Sequence, residues 1–368
     1  MISNHIARKV GAVVQKRIDH LGVGQKMQDL PEDLWHDSFR YYVKEDPNRK
    51  GGPNLRMIRL DPNKPSLTVT GFVFNKFVHP SENRFITVRE AARLQGFPDD
   101  FSFCGSLTST QQQVGNAVPI QLGTALFSQV REFAIKNNLV KHGALSAFSL
   151  FCGAGGLDLG AHFASGIDCR FDVRVAFDCW EDACNSLRGY SKITTSVQQA
   201  DIASIGNPKE FWQEHSRLNE NPDIIFGGPP CQAFSQAGKQ KALDDERGVL
   251  IFQFIRFIDC LRPKFFIMEN VANLQSINKG RLYKDILEQM ADLGYNVTSG
   301  ILCAADFGAP QLRRRMIFMG CRSDIGVLHL PEPTHSGTPT ILGLPLYNTV
   351  ADAFQGLPVL NEGLSEKV

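Results

Sequence analysis

The segment Phe226-Gly-Gly-Pro-Pro-Cys-Gln232 sets a thiol at the tip of a turn stiffened by two glycines and two prolines. A lone cysteine is most often inert core. A rigid Pro-Pro turn at a strand's end is costly to fold for packing alone and well suited to aiming a nucleophile. Cys231 is therefore a candidate nucleophile with Pro230 fixing its approach. A thiol with a pKa of about 8.5 is mostly protonated at neutral pH, so a helix N-terminus or a nearby cation must activate it. Glu269, in Phe265-Phe-Ile-Met-Glu-Asn-Val271, ends an apolar run. It is either an edge residue facing water or a partly buried acid that gives a proton near neutral pH. Gln311-Leu-Arg-Arg-Arg315 opens another apolar run, and alternation points Arg313 and Arg315 to one side, placed to hold an anion or a substrate carbonyl. The polar stretch from Ser235 to Gly248, with Lys239, Lys241 and Arg247, reads as a mobile loop able to close over a bound anion.

A second constellation surrounds Phe148-Ser-Leu-Phe-Cys-Gly-Ala-Gly-Gly-Leu-Asp-Leu-Gly160. Gly153, Gly155 and Gly156 follow a predicted strand and open a predicted helix, where small residues let a nucleotide-like ligand approach backbone N–H groups. Glycine also serves such a turn for steric reasons alone. Asp178 and Asp201 lie at or just beyond the ends of further apolar runs, where a carboxylate accepts hydrogen bonds from a ribose or an amino group, or else caps a helix. No GxxxxGK[ST] pattern occurs, which disfavours phosphate transfer.

These residues need a sheet to hold them. Short apolar runs alternate with amphipathic segments from Phe148 onward, as in a parallel α/β sheet, with strands predicted over Ala147–Phe151, Val173–Phe177, Asp223–Phe226, Phe265–Met268 and Arg315–Met319. Leu250, Phe254, Phe257 and Leu261 recur at helical spacing before Pro263 stops the helix. The first 80 residues are rich in Pro, Gly, Asn and Asp and predict a smaller, loop-rich unit; over residues 1–65, 12 Lys and Arg face 8 Asp and Glu. Residues 136–146 are polar and read as a linker. The whole chain of 368 residues carries a formal charge of +1, so any nucleic-acid surface must be local. No apolar run approaches the roughly 20 residues of a membrane span, and no secretory signal pattern is visible; the expected location is the cytoplasm. Nine dispersed cysteines without CxxC spacing fit a reducing compartment and argue against structural zinc.

Taken together, the segments resemble the DNA cytosine C5-methyltransferases. Phe151-Cys-Gly-Ala-Gly-Gly156 is similar to the family's S-adenosylmethionine turn, Pro229-Pro-Cys-Gln232 to its nucleophile motif, Glu269-Asn-Val271 to its acid motif, and Gln311 with Arg313 and Arg315 to its substrate-holding strand. Thr87-Val-Arg-Glu-Ala-Ala-Arg-Leu-Gln-Gly-Phe-Pro98 and Gln113-Val-Gly-Asn-Ala-Val-Pro119 resemble its last two motifs. Here these two precede the cofactor turn instead of following it, so the order looks circularly permuted.

The resemblance implies a Rossmann-like S-adenosylmethionine-dependent methyltransferase domain over 147–322. It implies helical segments 84–135 completing the cofactor pocket, and a small loop-rich target-recognition domain from 1–83 with 323–368. The implied catalytic residues are Cys231, Glu269, Arg313, Arg315 and Gln311. The implied cofactor pocket comprises Phe151, Gly153, Ala154, Gly155, Gly156, Leu157, Asp178, Cys179, Asp201, Ile202, Pro230, Leu250, Asn116, Ala117 and Val118. Ser235, Gln236, Lys239 and Arg247 are the implied DNA contacts, and no metal is implied. The expected activity is methyl transfer to C5 of a flipped cytosine in a specific duplex sequence, within a bacterial restriction-modification system. A cognate endonuclease is the expected companion, and the expected assembly is a monomer. RNA cytosine methylation and a catalytically silent DNA-binding subunit are the alternatives. The absence of a [DNS]PP[YFW] tetrapeptide disfavours amino-methyl transfer.

Overall fold

The computed structural model describes residues 2–45, 57–71, 76–193, 195–230, 249–341 and 343–360. Its centre is a seven-stranded sheet: β1 Ala144–Leu150, β2 Arg170–Asp178, β3 Ser196–Gln199, β4 Ile224–Gly227, β5 Phe265–Val271, β6 Tyr295–Cys303 and β7 Arg314–Arg322. The spatial order is β3-β2-β1-β4-β5-β7-β6. β1 to β5 run parallel, whereas β7 is antiparallel to both β5 and β6. The sheet is therefore mixed, not wholly parallel as its composition suggests. β3 and β6 were not foreseen. β6 is half-buried along most of its length and rich in Asn, Thr, Ser and Gly, so it lacks the apolar run that marks the inner strands.

Alternation within the inner strands sends successive side chains to opposite faces. Ile224, Phe226, Phe265, Ile267, Ile317 and Met319 build one core under α5 (Ile120–Lys136) and α6 (Gly156–Ala164). Ile225, Phe266, Met268 and Phe318 build the other under α8 (Pro208–Ser216), α9 (Val249–Leu261) and α10 (Arg281–Asp292). α7 (Glu181–Arg188) follows β2. Chain order reverses between β1 and β4, so the crevice beyond their C-terminal ends is the place where an open α/β sheet binds ligands.

The segment ahead of β1 supplies α1 (Ala12–His20), α2 (Asp37–Lys44), α3 (Val88–Leu94), α4 (Leu107–Asn116) and α5. Ile18, Leu21, Met27, Leu30, Phe39, Val78 and Phe85 form a separate small cluster. Buried Arg59 stitches it together by donating to the carbonyls of Ile18, Leu21, His79 and Glu82. A capping box starts α3: Glu90 N–H donates to Thr87 Oγ1 and Thr87 N–H to Glu90 Oε2. Glu90 also pairs with Arg84 at 2.6 Å. Beyond β7, residues 325–330 lie on the α5 face of the sheet, and α11 (Val350–Phe354) docks on α3, where Arg93 donates to Ala353 O.

Candidate active site

Sheet register assembles the site. Leu150 pairs with Gly227 and Gly227 with Met268, so the turns after β1 and β4 emerge side by side and Gly228 lies against Glu269. Glu269 faces Ile317 across the antiparallel β5–β7 ladder, and Arg315 is two residues along on the same face. That diagonal places Arg315 Nε 2.6 Å from Glu269 Oε1, with both side chains largely withdrawn from water. The next residue, Asn270, turns to the opposite face and donates its buried Nδ2–H to Pro229 O at 2.9 Å. Asn270 carries no catalytic signature of its own in the sequence; its place directly after the acid is the one signal that points to it. It fastens the Pro229-Pro230 turn to the strand carrying Glu269. Cys231, Ser235, Gln236, Lys239 and Arg247 lie outside the described residues, as does the loop from Ser235 to Gly248.

The expectation that Arg313 and Arg315 share one side is corrected. β7 begins at Arg314, and Gln311–Leu312 belong instead to a two-residue parallel ladder with Ser66–Leu67. Arg313 sits at the break between them, and alternation does not carry across it. Arg313 is 1% exposed, and its guanidinium donates to Val69 O (2.6 Å) and Gly115 O (3.0 Å), not to Glu269. Gln311 is also turned away from the acid: its Nε2–H donates to Leu94 O and Gln95 Oε1, and its Oε1 accepts from Val69 N–H. Both are braces in this structure. Burial pushes the Arg313 guanidinium down to about 9, with Arg315 adding repulsion and Glu269 partly offsetting it.

On the β1 side, Phe151 takes a left-handed φ of 54°, a strained conformation for a bulky residue, and starts the glycine turn. Gly153 N–H donates to Asp178 Oδ2 and Trp180 N–H to Asp178 Oδ1, each at 2.9 Å, so Asp178 fixes the turn after β1 to the end of β2. Burial raises the Asp178 carboxyl above its ordinary value while these N–H donors oppose the rise. Ala154 and Leu157 are buried, Cys179 is exposed, and Ile202 is buried beside exposed Asp201. The Asp201 carboxylate caps the short helix Ile202–Ser204 by accepting from Ala203 N–H, so the capping role holds at this position. Leu250 is half-buried in α9 and Pro230 is exposed.

The opposite wall is Asn116, Ala117 and Val118 at the end of α4. A Cβ on Gly156 would stand 2.4 Å from Val118 O, so glycine alone lets α6 start against that wall. The structure thus brings the segment ahead of β1 to the turn that follows it. Small residues, backbone groups at a helix N-terminus and two carboxylates beside a sheet edge suit a nucleoside carrying an amino-acid tail. The set fits S-adenosylmethionine.

A doubly wound sheet with a glycine turn after β1, the Gly228-Pro229 turn after β4 and a Glu–Arg pair beside it defines a nucleotide-type α/β protein with an acid at the edge of the ligand crevice. Residues 6–132 and 145–354 match the family C-5 cytosine-specific DNA methylase, and the chain belongs to that family. It is 37% identical over 234 residues to the Type II methyltransferase M1.HphI of Haemophilus parahaemolyticus, covering 63% of this chain and 58% of that protein. It is 37% identical over 227 residues to M.AquIA of Picosynechococcus sp., covering 57% and 88%. It is 38% identical over 211 residues to M.NgoFVII of Neisseria gonorrhoeae, covering 57% and 52%. The match therefore spans little more than half the length of the first and third of these relatives.

Proposed function

We propose that this chain is a DNA (cytosine-5-)-methyltransferase of a restriction-modification system, acting on cytosine in duplex DNA. The observation that carries this reading is Glu269, paired with Arg315, lying against Gly228, which stands three residues before Cys231 in the chain. Cytosine C5 is a poor nucleophile until the ring is enriched by addition elsewhere. Cys231 thiolate adds to C6, Glu269 delivers a proton to N3, and Arg315 polarises the O2 carbonyl, so that C5 acquires enamine character. S-adenosylmethionine, when bound, supplies an electrophilic methyl group. Loss of the C5 proton to solvent then lets the C6–sulfur bond break, and return of the N3 proton to the Glu269 carboxylate restores the aromatic ring, the acid and the thiolate. A stacked base hides C6, so the target must leave the duplex at a cost of a few kcal/mol.

Phe151, Gly153 to Leu157, Asp178 and Asn116 to Val118 would hold the donor, with Asp178 on the ribose and the Asp201 edge on the adenine. Residues 1–83 with 323–368 would read the DNA sequence, and Ser235, Gln236, Lys239 and Arg247 would contact the opened strand. The motif order is read as a circular permutation, the protein as a cytoplasmic monomer, and a cognate endonuclease as its companion. All eight described cysteines are free thiols, and among the described residues no helix is long and apolar enough to cross a membrane; both support a reducing, aqueous setting. Bisulfite sequencing of DNA from cells expressing the protein tests the reading: protected cytosines in one sequence context are expected with wild type and none with Cys231→Ser. An equal signal from both, or transfer only to RNA, contradicts it.

A further inference from the structure

The C-terminal end of α4 is closed in an unusual way. The last carbonyls of a helix have no intrahelical donor and carry partial negative charge. Here Gln95 Nε2–H donates to Val114 O (2.6 Å) and Ala117 O (3.2 Å), while Arg313 Nη2–H takes Gly115 O. Gln95 is held in turn by Gln311. A buried guanidinium that has no salt-bridge partner among the described residues is thereby accommodated by backbone carbonyls, one of them at the end of α4. The packing around it leaves no slack, because a Cβ on Gly115 would stand 2.1 Å from Gly71 N.

Arg313 joins two half-sites that are remote in sequence. On one side Gly115 leads directly into Asn116-Ala117-Val118, whose backbone abuts Gly156 at the start of the cofactor turn. On the other, Arg313 is two residues from Arg315, the partner of Glu269. We infer that Arg313 is a positioning residue that locks the cofactor wall at Asn116–Val118 to the strand end carrying Arg315, so that donor binding and base activation depend on one guanidinium. The planar fork is required because it reaches two carbonyls, Val69 O and Gly115 O, at once; an ammonium is a point charge that serves one site less well.

This inference rests on the proposed function, and its test separates the two. The enzyme is assayed for S-adenosylhomocysteine affinity by calorimetry. It is assayed separately, without donor, for tritium release from [5-³H]cytosine DNA, which needs only reversible thiol addition at C6 and proton exchange at C5. Arg313→Lys is expected to lose about tenfold or more in both, each loss matching about one broken charge-assisted hydrogen bond. Ile286→Val, buried in α10 on the other face of the sheet, provides a destabilised control that should retain both. An Arg313→Lys enzyme that keeps both within about twofold, or loses only one, overturns the coupling, as does equal loss in the control. A wild-type enzyme that neither binds nor exchanges defeats the functional reading itself.

Discussion

Asn270 holds the backbone of the Pro229 turn from a strand that also delivers the acid, so one two-residue step on β5 sets both partners of the proposed addition. Asn270→Ala leaves a buried carbonyl without its donor, at a cost of about 1–3 kcal/mol. The single-turnover methylation rate is expected to fall about tenfold or more while S-adenosylhomocysteine affinity stays near wild type; an unchanged rate would show that the bond does not position the nucleophile turn. Asp158, in the first turn of α6, supplies a pH signature. Burial pushes its carboxyl up to about 7 from an ordinary 3.8, with Ser149 opposing. Folding therefore retains a proton that the unfolded chain releases, so the contribution is full below the ordinary value and is lost as pH rises to about 7, a swing of about 4 kcal/mol. Asp158→Asn is expected to unfold at a higher temperature than wild type at pH 8 and to flatten the Tm–pH profile between about pH 4 and 7. Parallel profiles for the two proteins would contradict this assignment.

Five strands and the β4–α9–β5 unit were legible in the sequence because inner strands and an amphipathic helix carry strong periods. β3 and β6 were not, since edge strands bury little and show weak patterns. Glu269 and Arg315 were each legible as candidate site residues, but their pairing was not, because the antiparallel register creates it. Arg313 was misplaced because alternation was extended across a break caused by pairing with Ser66–Leu67, more than two hundred residues away in the chain. A local period cannot report such a contact. At this scale Gly156 is decisive: Gly156→Ala drives a methyl group into Val118 O, so α6 must separate from the α4–α5 turn. Calorimetry is expected to show at least about tenfold weaker S-adenosylhomocysteine binding, and retained affinity would mean that the two segments do not share a pocket.

At the scale of the whole molecule, the first and last described segments lie against each other. His5 Nε2 lies 2.9 Å from Pro358 O and its Nδ1 2.9 Å from Thr87 Oγ1, while Arg93 reaches Ala353 O and Gln355 O. α5 ends at Lys136 and β1 begins at Ala144, and the intervening loop lays half-buried Leu139 and Val140 against the core. A rearranged gene that joins residue 360 to residue 2 through a short flexible linker and opens the chain between Asn138 and His142 should fold with a Tm within a few degrees of the original and retain methyl transfer. An insoluble or inactive product would show that the connection itself is needed. The central claim concerns the sulfur of Cys231, and the most direct measurement is trapping on duplex DNA containing 5-fluorocytosine in the presence of S-adenosylmethionine. A protein–DNA adduct that survives denaturing electrophoresis and maps to Cys231 is the expected result; adduct formation by Cys231→Ala, or none by the wild-type enzyme, would contradict covalent catalysis at this turn.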